Sequence, residues 1–180
     1  RLAKINLDHT ALPTIDDEVE DILESETADE REKERAKSQW SALEAIVGTD
    51  ARLQVVAEDL IKHYETRSQT QPGKAMIVTM SRDICVRLYD KIVELRPEWH
   101  SDDHMQGAIK IVMTASASDK AYLQPHHTNK AQKKDLEKRF KNPEDPLKIV
   151  IVRDMWLTGF DAPCLATMYI DKPMQGANLA

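Results

Sequence analysis

Three short apolar runs, each ending in polar residues and each parted from the next by a helical pattern, constrain this chain more than anything else in it. Ala75-Met76-Ile77-Val78-Thr79-Met80, Ile109-Lys110-Ile111-Val112-Met113 and Lys148 to Val152 are too brief for helices. They read as strands buried on both faces, and Thr167 to Ile170 reads as a fourth. After the first run, Ser81 suits a helix cap, with Asp83 where a negative charge meets the positive end of the dipole. Ile84, Leu88, Ile92 and Leu95 then form a buried stripe, and Pro97 stops it. After the second run, a long polar connection leads to a helix at about 130–141 with Leu136 and Phe140 inward, broken by Asn142-Pro143-Glu144-Asp145-Pro146. Strands alternating with amphipathic helices predict an α/β fold, a parallel sheet with flanking helices. In such sheets ligands bind beyond the carboxyl ends of the strands. Those ends deliver Ser81-Arg82, Thr114 to Ser118, Arg153-Asp154 onward and Asp171-Lys172 to one edge. Hydroxyls and helix-start N–H groups there suit phosphates.

Upstream of Gly73 the pattern differs. Trp40, Leu43, Ile46 and Val47 fall on one side of a helix from about 29 to 47. Gly48 suits a left-handed stop and Thr49 the cap of a second helix, about 50–67, carrying Leu53, Val56, Leu60 and Tyr64. The two make a helical hairpin over 29–72, ending in the turn signal Pro72-Gly73. Residues 1–28 read as an irregular acidic strap. The net charge is −6, but residues 16–34 hold eleven acids against Arg31 and Lys33, so that block is −9 and the remainder +3. The acidic balance therefore does not exclude nucleic acid from the rest of the chain. Aromatics are 5% of the residues, too few for a base-stacking sheet. Cys85 and Cys164 are far apart in apolar surroundings and read as buried hydrophobes in a reducing compartment. No apolar run approaches the roughly 20 residues of a membrane span, and no signal peptide is visible. The expectation is a cytoplasmic protein without membrane contact.

The richest segment is Arg153-Asp154-Met155-Trp156-Leu157-Thr158-Gly159-Phe160-Asp161-Ala162-Pro163, which follows the Ile-Val-Ile-Val strand directly. Trp156 and Phe160 would anchor such a loop in the core. Gly159 permits a conformation or an approach closed to other residues. Asp161 suits a ribose hydroxyl and Thr158 a phosphate, or Asp161 merely caps the next turn.

Thr158-Gly159-Phe160-Asp161-Ala162-Pro163 after that strand resembles motif V of superfamily 2 helicases and translocases. Lys74 to Tyr89 resembles the motif IV strand and helix, and Phe140 to Pro146 the connection before motif V. Met80-Ser81-Arg82-Asp83-Ile84-Cys85-Val86, taken with Ile151 to Cys164, is similar to the restriction (R) subunit of type I restriction–modification enzymes. The similarity extends through Trp40 to Gly48 and Leu95 to Trp99, most of the chain. The resemblance implies a RecA-like, P-loop NTPase-type fold over 73–180, the second motor domain, truncated before motif VI and preceded by a helical segment. It implies a subunit that pumps double-stranded DNA using ATP and Mg²⁺, cuts it with a separate nuclease domain, and works with methylation and specificity subunits and with its own first RecA-like domain. Ser81, Arg82, Thr114, Ser116, Arg153, Asp154 and Thr158 would touch DNA, and Gly159 and Asp161 would face ATP. The phosphate-binding loop GxxxxGK[ST], the DEAD-type magnesium motif and a nuclease motif are absent from these residues. The expectation is half an ATP site, no catalytic residue, and no activity for this stretch alone.

Other features carry less. His126-His127 reads as a solvated loop, since no Cys or acid stands at ligand spacing. Lys130, Lys133, Lys134, Lys138, Arg139 and Lys141 make a basic helix, read as a solvated outer face because Asp135 and Glu137 interleave. Arg82 suits a phosphate, a carbonyl or an acid equally. Ser81 and Ser116 lack His and acid partners in any recognisable motif, which leaves nucleophilic catalysis unsupported. The alternatives are a non-enzymatic α/β scaffold or anion-binding domain, or another superfamily 2 DNA helicase. No GxGxxG follows a strand, so a dinucleotide site is not signalled.

Overall fold

The computed structural model describes residues 30–116, 119–157 and 159–172. The strap expected over 1–28 and the contact expected from Thr158 lie outside them. Helices α1 (Glu30–Val47) and α2 (Asp50–Thr70) precede strand β1 (Lys74–Thr79), helix α3 (Arg82–Leu95), strand β2 (Ile109–Val112), helix α4 (Lys130–Lys141), strand β3 (Ile149–Val152) and strand β4 (Leu165–Asp171). Short 3₁₀ turns occupy Pro97–Trp99 and Ala121–His126. The second turn lies inside the connection expected to be merely polar, and buried Leu123 pins it. The strands form one parallel sheet in the order β2-β3-β1-β4. It is the predicted α/β architecture and is consistent with a RecA-like domain.

Strict period-two alternation divides the core. Ala75, Ile77, Ile109, Ile111, Ile149 and Ile151 face one side and pack with α2 and α3 through Leu53, Val56, Ile84, Leu88 and Ile92. Met76, Val78, Val112, Val150 and Val152 face the other side and pack with Leu136 and Phe140 of α4. β1, β2 and β3 are therefore mostly apolar because both of their faces are covered, whereas edge strand β4 leaves Met168 and Ile170 exposed. The chain steps outward past β3's place under α3 to make β2, then returns under α4 to make β3.

The helical pair joins this core: Leu43 and Val47 of α1 are buried with α2 and α3. Arg52 of α2 donates to the Val47 carbonyl (3.0 Å) and holds the Asp171 carboxylate at the end of β4 with both terminal nitrogens. Two local expectations are corrected. Gly48 does not take a left-handed conformation. It is small because a Cβ there would stand 3.3 Å from Arg87 and Ile84 of α3. Thr49 holds the cap position of α2 in extended backbone but makes no side-chain cap bond. Pro72-Gly73 is more than a turn, since a Cβ on Gly73 would stand 2.3 Å from the Ala166 Cβ of β4.

The opposite, amino-terminal end of the sheet is sealed by Arg139, expected on a solvated face but 3% exposed. Its guanidinium donates to the carbonyls of His104 (2.6 Å), Gln106 (3.2 Å) and Gly107 (3.0 Å) and pairs with Asp145. Lys74, also buried, donates to the Arg139 carbonyl at 2.7 Å. Burial lowers the pKa of this ammonium.

Candidate functional site

At the carboxyl edge, β1, β3 and β2 release their loops side by side. β1 ends at Thr79, whose hydroxyl donates to the Ser81 carbonyl at 3.1 Å. Ser81 caps α3, its hydroxyl accepting the Ile84 N–H at 3.2 Å. This places Arg82 at the helix's first position, facing the loop that leaves β2. Arg82 Nη1 donates to the Thr114 carbonyl (2.9 Å) and to Asp119 Oδ2 (2.6 Å). Of the three partners the sequence allowed Arg82, two are thus occupied: the carbonyl and the acid.

Asp119 is the residue that sequence reasoning missed. Its Oδ2 also accepts the Ser116 N–H at 2.9 Å and lies 3.0 Å from His127 Nε2. Burial alone would raise this carboxyl's pKa, but the Ser116 N–H and Arg82 outweigh it and hold the pKa below the usual carboxylate range. One sequence signal was available: Asp119 is the first acid after the hydroxyl-rich strand end, three residues beyond Ser116.

These loops border an open cleft of about 380 Å³, with Trp40 and Glu44 of α1 on one wall, and Ser81, Arg82, Lys120 and Arg153 around the rest. Thr114 and Ser116 are exposed beside it. Arg153 and Asp154, exposed at the end of β3, lie 3.5 Å apart as a loose pair. Tyr122 donates to Asp83 across the cleft, and that bond to a carboxylate raises the Tyr122 pKa to about 12.

His126 was expected in a solvated loop. Instead it is half-buried, its ring 4.9 Å from Tyr89 of α3. Burial, with His100, Lys110 and His127 nearby, pushes its pKa down to about 4. Among the described residues no group of three or more His, Cys, Asp or Glu could hold a metal ion.

Gly159 and Asp161 lie apart from this cluster. Met155, Trp156, Leu157, Phe160 and Ala162 pack on the face covered by α4, where Trp156 and Phe160 stack at 4.5 Å and Phe140 lies 5.9 Å from Trp156. The predicted aromatic anchors are therefore real, and they hold the loop towards the amino-terminal half of the sheet. Gly159 has φ +67 and nothing within 4 Å of a built Cβ, so backbone conformation, not close approach, calls for glycine. Asp161 is exposed two residues on. An exposed carboxylate beside an exposed glycine suits a ribose hydroxyl and nearby backbone N–H groups. It does not make a triphosphate cradle.

A family model described as type I restriction enzyme subunit R domain 3 matches residues 14–180. The chain is 57% identical over 136 residues to the type I restriction enzyme HindI endonuclease subunit of Haemophilus influenzae, covering 76% of this chain and 13% of that protein. It is 41% identical over 173 residues to a putative type I restriction enzyme, the MjaIXP endonuclease subunit of Methanocaldococcus jannaschii, covering 96% of this chain and 16% of that protein. The putative MjaVIIP endonuclease subunit of the same organism is 32% identical over 139 residues. The chain thus spans well under a fifth of the length of these relatives.

Proposed function

The chain belongs to the type I restriction enzyme R-subunit family, and from that premise we propose that it supplies one wall of the DNA- and ATP-handling cleft of an ATP-driven DNA translocase and restriction endonuclease. The observation that carries this reading is the shared edge. Ser81, Arg82, Thr114, Ser116 and Arg153 come from three neighbouring parallel strand ends, with Arg82 bonded to the Thr114 carbonyl. Exposed hydroxyls and cations on a rigid sheet edge suit the sequence-independent backbone contacts that a translocase needs. Asp154 and Thr158 complete the DNA-facing set in this proposal, with the 153–158 stretch relaying nucleotide state.

Gly159 and Asp161 would meet ATP from the other end of the same loop. ATP supplies the free energy of translocation when bound and hydrolysed. This chain's part is to orient the ribose through the Asp161 carboxylate and to carry the change along the loop, whose aromatic stack keeps it stiff. With no metal-ligand set among the described residues, the Mg²⁺ that accompanies ATP would be held elsewhere in the full-length subunit. Double-stranded DNA, the methylation and specificity subunits and the first RecA-like domain are the proposed partners. The stretch by itself is proposed to be inactive, since its residues include no Walker loop, DEAD-type or nuclease motif.

The test uses the full-length subunit. Asp161→Ala is expected to abolish DNA-dependent ATP hydrolysis. Arg82→Ala is expected to weaken DNA binding and to flatten its dependence on salt by about one unit of slope. Wild-type behaviour in both would remove the proposed roles.

A further inference from the structure

Two donors from separate segments converge on a single oxygen at the carboxyl edge, with a histidine nitrogen beside it. Asp119 Oδ2 takes Arg82 Nη1 from the start of α3 at 2.6 Å and the Ser116 N–H from the loop after β2 at 2.9 Å. It lies 3.0 Å from His127 Nε2 at the end of the 3₁₀ turn. A guanidinium and a backbone N–H on one oxygen, with an imidazole nitrogen 3.0 Å away, make an arrangement that phosphate oxygens typically find. The Asp119 side chain is 3% exposed, whereas that of Arg82 is 29% exposed and borders the open cleft with Lys120 and Arg153. Both bonds from Arg82 use Nη1; among the described residues its Nε and Nη2 carry none. Half of a fork shaped for bidentate anion binding is therefore uncommitted on the side a ligand would approach.

The geometry points to a phosphate-binding site built by Arg82, the Ser116 N–H and His127 and closed in the free chain by Asp119, whose carboxylate stands where a phosphate would bind. The inference rests on the proposed DNA-facing role of this edge and adds the occupant that a phosphodiester must displace. Opening exchanges one anion for another on the same donors, so the donors are never left bare.

The experiment measures full-length subunit binding to a short non-specific DNA duplex by fluorescence anisotropy across a salt series. Wild type is compared with Arg82→Gln, Asp119→Asn and the double variant, with inorganic tripolyphosphate as a second probe. Asp119→Asn is expected to tighten DNA binding about two- to fivefold, the scale of a partly exposed ion pair, with the salt slope kept. The double variant is expected to match Arg82→Gln. If Asp119→Asn instead weakens binding as Arg82→Gln does, Asp119 positions the arginine and the proposal falls. If Arg82→Gln leaves DNA affinity and slope at wild-type values, it is the DNA reading of this edge that fails. The tripolyphosphate arm then decides: tighter binding by Asp119→Asn keeps the site as one for free phosphates, and unchanged binding overturns it. Asp119→Ser, which retains an acceptor for the Ser116 N–H, guards against misfolding. If both variants lower the melting temperature and lose DNA binding, Asp119 is structural and the proposal is overturned.

Discussion

The two ends of the sheet each use an arginine to gather backbone carbonyls, and they use it differently. At the amino-terminal end Arg139 is sealed in, bonded to three carbonyls and to Asp145, with Lys74 on its own carbonyl. At the carboxyl end Arg82 makes one carbonyl bond and one carboxylate bond and stays partly open to water. The closed end spends its cation on fixing where β2 and β3 begin. The open end holds its cation on partners that a ligand can replace. The same residue type is thus structural where every donor is used and available for function where donors remain.

The largest effect should come from breaking the closed end. Arg139→Ala leaves the His104, Gln106 and Gly107 carbonyls and the Asp145 carboxylate without their shared donor. Removing one partner of such a buried network costs about 3–5 kcal/mol. Chemical denaturation followed by tryptophan fluorescence reads it, since the neighbouring Ala108 N–H donates to the Trp99 carbonyl. A loss below that of Arg82→Ala would break the contrast between the two ends.

Acid should produce the next effect. The His126 pKa is pushed down to about 4 from an ordinary 6.5, chiefly by burial. Between those values the unfolded chain holds a proton that the folded chain does not, so stability falls as pH drops from 6.5 towards 4. The two values bracket about 3 kcal/mol, and above pH 6.5 this group contributes no slope. Denaturation midpoints across that pH range should lose most of this slope in His126→Gln. Among the described residues no carboxylate pairs with the His126 ring, which is the opposite of the arrangement around Arg139.

Gly73→Ala probes apolar closeness where the sheet begins. The added methyl would start 2.3 Å from the Ala166 Cβ, so β4 must shift, at about 1–3 kcal/mol for overpacking of this kind. The double variant Gly73→Ala/Ala166→Gly should recover part of it in the same denaturation experiment. A single variant as stable as wild type would show that β4 yields without strain.

The strands and helices were legible because both kinds of element carry their own periodicity, and double-sided burial makes parallel strands read as plain apolar runs. Ser81 was legible as a cap because capping is local. Asp119, the buried Arg139 and the half-buried His126 were not, because their surroundings are assembled from segments far apart in the chain. Nothing in a basic helix marks which cation turns inward; Arg139 does so because three carbonyls from 104–107 and Asp145 converge there. The TGFDAP segment announced its loop and its aromatic anchors, but not that its course carries Gly159 and Asp161 away from the carboxyl edge, since the stacking on Phe140 decides that course.

The smallest stability effect should fall on the residue given the largest functional part. Arg82→Ala removes a pair whose arginine is partly solvated; the nearly buried Asp119 carboxylate keeps the Ser116 N–H, and the open cleft lets water reach the vacated side, so the loss is about 1 kcal/mol. The Thr114 carbonyl it leaves is on an exposed residue, so water can take the arginine's place. Thermal or chemical denaturation of Arg82→Ala should therefore lie close to wild type, while its DNA binding weakens at every salt concentration. A fold held by Arg82 would show the reverse, a large loss of stability with DNA binding falling only in proportion to the unfolded fraction. The ratio of the two losses, set beside that of Arg139→Ala, measures directly how far the two ends of one sheet have been given different work.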